Sequence, residues 1–194
     1  MWHETVGGYL SLETSPGRPD DKDEKERPVP DIAVGIAAYS SYTRAAEAWD
    51  RLDLDPGAAT SLIDAMVIEW ADQQVSLVRC SLVRHGWGFG AIASAIVGAL
   101  WPPALLTGAL AGGVGDQMLT CVSGSLPAQV STEFSRVLRL DRIAIVAVMA
   151  TPEGTHTARA LETHALELVL STLACSSREL LTALRADADT TGDL

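Results

Sequence analysis

Between Gly86 and Gly115 the chain runs for thirty residues without an Asp, Glu, Lys, Arg or His. The run reads GWGFGAIASAIVGALWPPALLTGALAGGVG, with eight glycines and Pro102-Pro103 near its middle. Water-facing loops are polar, and a buried loop strands its backbone N–H and C=O groups. The run is therefore expected to be helical and to be covered by protein, lipid or an apolar ligand. A helix needs about 20 apolar residues to cross a hydrocarbon core of about 30 Å. The prolines divide the run into 86–101 and 104–115. At about 1.5 Å per residue those halves reach only about 24 and 18 Å. One straight crossing would also pull apart the domain on either side. A helical hairpin turning at Trp101-Pro102-Pro103 is the expected form.

Small residues recur within the run at intervals of four. Gly90, Ser94 and Gly98 make one stripe, Ala91, Ala95 and Ala99 a second, and Ala104, Gly108 and Gly112 a third. Such stripes let a second backbone approach closely, as in helix pairs within lipid. Gly90, Ser94, Gly98, Ala104, Gly108 and Gly112 are thus the candidate packing residues for a membrane or oligomer contact. Trp87, Phe89 and Trp101 are the candidates for touching lipid or an apolar ligand.

The remainder of the chain reads as alternating strands and helices. Residues 13–30 join prolines to a charge cluster and lack long apolar runs, which predicts a disordered linker. Upstream of it lies a short sticky patch in which Trp2, Tyr9 and Leu10 are candidates for docking a partner. IAVGIAAYS after Asp31 reads as a strand, and YTRAAEAWDRLDL as a helix with Ser40, Ser41 or Thr43 as its cap. DPG at 55–57 signals a turn. TSLIDAMVIEW and VSLVRCSL form a hairpin around Ala71–Gln74. A helix over 126–140 and an interior strand, IAIVAVMA, close the domain.

The order is β-α-β-β-α-β, which predicts an α+β, ferredoxin-like domain over 31–150. The apolar hairpin of 86–115 falls between its third strand and second helix. Leu166, Leu170, Leu173, Leu180 and Leu184 step by three and four, which predicts an amphipathic helix over 155–186, or two shorter ones, whose stripe packs on its own domain or forms an oligomer seam, with a disordered tail at 187–194.

Several function classes find no support. A formal charge of −11 disfavours nucleic-acid binding, which needs Lys and Arg against phosphate. Cys80, Cys121 and Cys175 are odd in number and distant, so neither a disulfide framework nor a zinc site is read. His156 and His164, eight apart, read as solvated helix positions and not as metal ligands. GWGFG lacks the spacing of a dinucleotide loop, and no P-loop, G-x-S-x-G or H-E-x-x-H occurs. Glu69, Asp72 and Asp116 read as solvated carboxylates. The expectation is a non-enzyme with no catalytic, cofactor-binding or metal residue. MWHETVGGYLSLET has no cationic stretch before an apolar core, so no secretory signal is read.

The strand-helix-hairpin opening (IAVGIAAYSSYTRAAEAWDRL, then DAMVIEWADQQVSLVRC), the insert ending ALAGGVGD and the strand IAIVAVMA together resemble the domain-of-unknown-function family numbered 1269 over about residues 31–150. That family is usually described as glycine-rich and membrane-associated. The resemblance implies a membrane-associated protein and brings no catalytic residues with it, and the three unpaired cysteines place the soluble parts, as an expectation, in a reducing cytoplasm. Trp101-Pro102-Pro103 departs from the smoother span expected of the family.

The expected function is non-catalytic: a membrane-associated protein that self-associates through the small-residue hairpin. The alternative is an oligomeric scaffold subunit of a larger enzyme complex. In that reading several hairpins form a hydrophobic tube for a lipidic molecule such as a respiratory quinone, and the N-terminal peptide docks the partner.

Overall fold

The computed structural model describes residues 31–71, 74–80, 90–101, 106–107, 115–138, 143–151 and 154–191. The expected linker and docking patch of 1–30 therefore lie outside the described residues, as do Trp87, Phe89, Ala104, Gly108 and Gly112.

The fold is α+β. The strands are β1 (Asp31–Tyr39), β2 (Leu62–Ala71), β3 (Gln74–Cys80), β4 (Leu106–Thr107), β5 (Ile143–Ala150) and β6 (Glu167–Ser176). They form one sheet in the order β4-β3-β2-β5-β1-β6. Its five longer strands pair antiparallel, and the two-residue β4 adds in parallel to β3. Seven helices appear among the described residues: α1 (Tyr42–Leu54), α2 (Pro56–Ser61), α3 (Ala91–Leu100), α4 (Asp116–Ser125), α5 (Ala128–Leu138), α6 (Thr155–Glu162) and α7 (Ser177–Thr191).

Strand parity separates the two faces. Ile32, Val34, Ile36 and Ala38 of β1 share one apolar cluster with Met66, Ile68, Ala144, Val146 and Val148, under α3, α4, α5 and α7. Ala37, Tyr39, Ala65, Val67, Ile145, Ala147 and Met149 face the other way, under α1, α2 and α6. Side chains alternate across a strand, so burial on both faces requires the near-continuous apolar sequence that β5 has. All six interior residues of β5 are buried.

Local chemistry accounts for the element ends. Ser41 caps α1 by accepting the Arg44 N–H. The DPG signal produces a short helix in place of a bare turn. Asp55 accepts the Gly57 and Ala58 N–H groups, and Pro56 occupies the first turn, where its missing N–H costs nothing.

Strand order departs from the sequence expectation. The ferredoxin-like reading would set 75–82 between the first two strands. β5 holds that position instead, and β3 lies on the outer flank of β2. β5 contributes two apolar faces and fits an interior slot, whereas β3 carries exposed Val78 and Arg79 and suits a flank.

The helical stretch expected over 155–186, one helix or two, is in fact two helices, α6 and α7, separated by the strand β6. α6 ends at Glu162, and His164 turns the chain with a left-handed φ of 60°. The leucines counted as one helical stripe are divided accordingly. Leu166 and Leu170 are exposed, while Leu173 and Leu180 are in the core. The second half of the apolar hairpin also differs, because Leu106–Thr107 is a strand.

Candidate functional site

The centre of the uncharged run is α3, which is apolar on every side and so must be covered on every side. Residues 92–97 are all buried. The cover comes from this chain: α3 packs on β2 and β5, against α4, and touches α5.

Asp64 fixes where α3 begins. A bulge between Leu62 and Asp64 shifts the β2–β5 register, and Asp64 then falls in the parity of Met66 and Ile68, facing the helices. The carboxyl is 2% exposed. Its Oδ2 accepts the Ile92 N–H at 3.1 Å and the Ala93 N–H at 3.0 Å. These are two of the amides that a helix N-terminus leaves unpaired. Gly90 precedes them with φ +66°, a left-handed conformation that favours glycine, and a Cβ there would lie 3.5 Å from Cys80 Cβ.

A second carboxylate closes α4. Asp187 of α7 accepts the Gln117 N–H at 3.1 Å and the Met118 N–H at 2.9 Å. Gly115 leaves room for it, since a Cβ at that position would overlap Asp187. Helix N-termini attract anions. Here protein carboxylates occupy both, which places neither start at the service of a phosphate.

Of the residues singled out from the sequence, Ser94 is 7% exposed. A Cβ on Gly98 would meet Leu119 of α4 at 3.3 Å. The described part of the stripe thus lines contacts inside the chain. Trp101 requires a correction: it is 2% exposed, and its ring stacks on Trp70 at 5.7 Å and 29°. It belongs to the core and is not available to lipid. The reason is local, because α3 ends with the Trp101 N–H on the Val97 carbonyl and the indole folds back over β2.

The opposite helix layer holds a second set of polar contacts. Ser61 and Thr157 hydroxyls meet at 2.7 Å in a buried contact between α2 and α6. His156 Nδ1 lies 3.5 Å from Asp55, and His164 Nε2 lies 3.1 Å from Glu47, so the two histidines serve separate carboxylates. Accepting the Gly57 N–H, foremost, and then those of Ala58 and His156 holds the Asp55 carboxyl below its usual range. Arg79 sits 4.8 Å from the centre of the Trp49 ring, between Asp50 and Asp53. Tyr39 donates its hydroxyl to the Leu161 carbonyl at 2.5 Å, and burial pushes its pKa up.

Two openings border this layer. A cleft of about 320 Å³ is lined by Arg51, Leu54, Asp55, Arg159 and Ala160. A cavity of about 260 Å³ lies between α6 and the sheet end, with Ala33, Met149, Ala158, Leu170 and Thr172 in its walls. Among the described residues no group of three or more His, Cys, Asp or Glu side chains could hold a metal ion. No described helix is long and apolar enough to cross a membrane.

Asp64 and Asp187 were not anticipated from the sequence. Asp64 did carry a readable signal, since it is a lone carboxylate in the apolar parity of LIDAMVIEW. Asp187 carries none, because its partners come from a helix about seventy residues away.

No family model, no curated protein and no solved structure matches the chain.

Proposed function

We propose that this protein acts by association and not by catalysis: it self-associates and sits at a membrane or another apolar surface. The carrying observation is how the uncharged run is rooted. Its centre is the covered helix α3, and its two sides come to the same flank of the sheet. Gly90 lies against Cys80 at the end of β3, and β4 pairs Leu106 with Val75. A run anchored this way keeps both ends in one domain, as a hairpin docked on a bilayer must. In this reading Trp87 and Phe89 make the apolar contact, and Trp101 does not.

β1-α1-β2 and β5-α6-β6 interleave as two crossovers, each stepping over one strand, in the order β2-β5-β1-β6. We read these as a ferredoxin-like unit, with residues 74–138 as an insertion that supplies α3, α4 and α5 of the second helix layer and α7 completing it from beyond β6.

Flotation of the full chain with phospholipid vesicles tests the membrane part. The wild type floats, and a Trp87→Asp, Phe89→Asp double variant stays at the bottom with an unchanged circular dichroism spectrum. A wild-type chain that never floats removes the membrane contact. The scaffold reading is favoured instead if deleting 1–12 releases a co-purifying enzyme while flotation persists.

A further inference from the structure

Among the described residues the sheet ends at β6. Its one described neighbour is β1, so the other edge of a ten-residue strand meets no described strand. Proteins guard such edges with lysine, proline or inward charge, because the unpaired backbone invites another strand. β6 reads ELVLSTLACS and has no lysine or proline. Its single Asp or Glu is Glu167 at one end, and Arg136 is paired to it. The edge is therefore close to neutral along its length.

That neutrality selects an occupant. The chain carries a formal charge of −11, so two copies repel over most of their surface. A cationic partner would gain more from the acidic surfaces than from β6. A second copy, by contrast, can approach along β6 without setting like charges opposite one another. The strand also presents apolar surface for such a contact. Leu170 is 49% exposed on the face of the sheet that carries α6, and Leu166, just before the strand, is 52% exposed.

We propose that two copies of this chain pair β6 against β6, antiparallel about a two-fold axis near Leu170, and join their sheets into one. In that register Leu170 stands opposite its symmetry mate, and Leu168 stands opposite Thr172 of the other copy. The partner's Leu168 then comes to the mouth of the 260 Å³ cavity that Leu170 and Thr172 border. Directly opposed apolar side chains are the unit of sheet stabilisation. A two-fold contact uses the same patch twice, which an edge of uniform character satisfies. The pairing rests on the self-association reading and moves its seat from the small-residue stripe to the sheet edge.

Sedimentation velocity of the full chain tests this. The wild type runs at twice the chain mass of 20.5 kDa. Leu170→Lys places two cations opposite one another at the axis, and weakens association by at least about tenfold, equivalent to about 1.4 kcal/mol. Because Leu170 is half exposed, near-ultraviolet circular dichroism of the variant stays that of the wild type. Leu54→Lys, at an 80% exposed position on α1, leaves the dimer intact. Hydrogen exchange adds an independent readout: amides of β6 gain protection as concentration rises. A monomeric wild type overturns the pairing and the self-association reading together. An oligomer indifferent to Leu170→Lys and unprotected at β6 overturns the pairing alone. Loss of the oligomer on deleting 1–12 also overturns it, and assigns the edge to the N-terminal segment.

Discussion

Asp64 on β2 accepts the Ile92 amide from 28 positions away, and this contact ties the start of α3 to the centre of the sheet. The same oxygen also accepts the Ala93 amide. Asp64→Ala leaves both amides buried without that acceptor. Losing a helix cap costs about 1 kcal/mol, and leaving a buried donor unsatisfied costs about 1–3 kcal/mol. A loss of about 2–3 kcal/mol is expected in urea unfolding, with Asp64→Asn losing less because one side-chain oxygen remains. Equal stability of Asp64→Ala and wild type would remove the tie.

Trp101 is the residue whose role changes most between sequence and structure. Stacked on Trp70 and 2% exposed, it fills space in the larger core cluster. Trp101→Ala is expected to cost about 3–5 kcal/mol, the usual range for emptying a large aromatic site. Vesicle flotation of the folded fraction should not change. Were Trp101→Ala to keep its stability and lose flotation, the indole would have to face lipid.

How far the sequence reveals the fold depends on how local each signal is. β1, α1, β2, β3 and β5 are readable because each announces itself through its own spacing, its cap or a hairpin. β6 is hidden because Leu166, Leu170 and Leu173 fall at helical intervals while ELVLSTLACS is apolar on both parities. The break before it has no Gly or Pro, since His164 takes the left-handed position. Strand order is hidden for a different reason: which strand sits between β1 and β2 depends on a pairing across the whole chain. The uncharged run shows that it must be covered. It does not show that β2, β5 and α4 supply the cover for α3.

Gly98 tests whether the small-residue stripe works inside the chain. A Cβ there would approach Leu119 Cδ1 at 3.3 Å, a close contact with the tip of a flexible, half-buried side chain. Gly98→Ala needs only a small shift of that tip and gains helix propensity of up to about 1 kcal/mol. A gain of about 0.5 kcal/mol is expected. Gly98→Leu overfills the α3–α4 contact and should cost about 1–3 kcal/mol. Thermal unfolding should rank the three in the order Ala, Gly, Leu, with the oligomeric state of Gly98→Ala unchanged. A fully stable Gly98→Leu chain that fails to assemble would return the stripe to an intermolecular contact.

Cys121 on α4 offers a test in alkali. Burial, followed by the neighbouring Cys175 thiol and the charge of Glu179, pushes its thiol up to about 11 from an ordinary value of 9.0. A raised acid stays protonated in the folded chain while the unfolded chain ionises. Its contribution to stability is therefore complete below about pH 9 and is lost as the pH climbs through about 11. Urea midpoints should fall across that window, and Cys121→Ala should flatten the fall. At pH 8 the thiolate is scarce, and the thiolate is the nucleophile. Iodoacetamide should thus label Cys121 far more slowly in the folded chain than in urea, as read by peptide mass spectrometry. Labelling at equal rates would place the thiol in open solvent and break its pairing with Cys175.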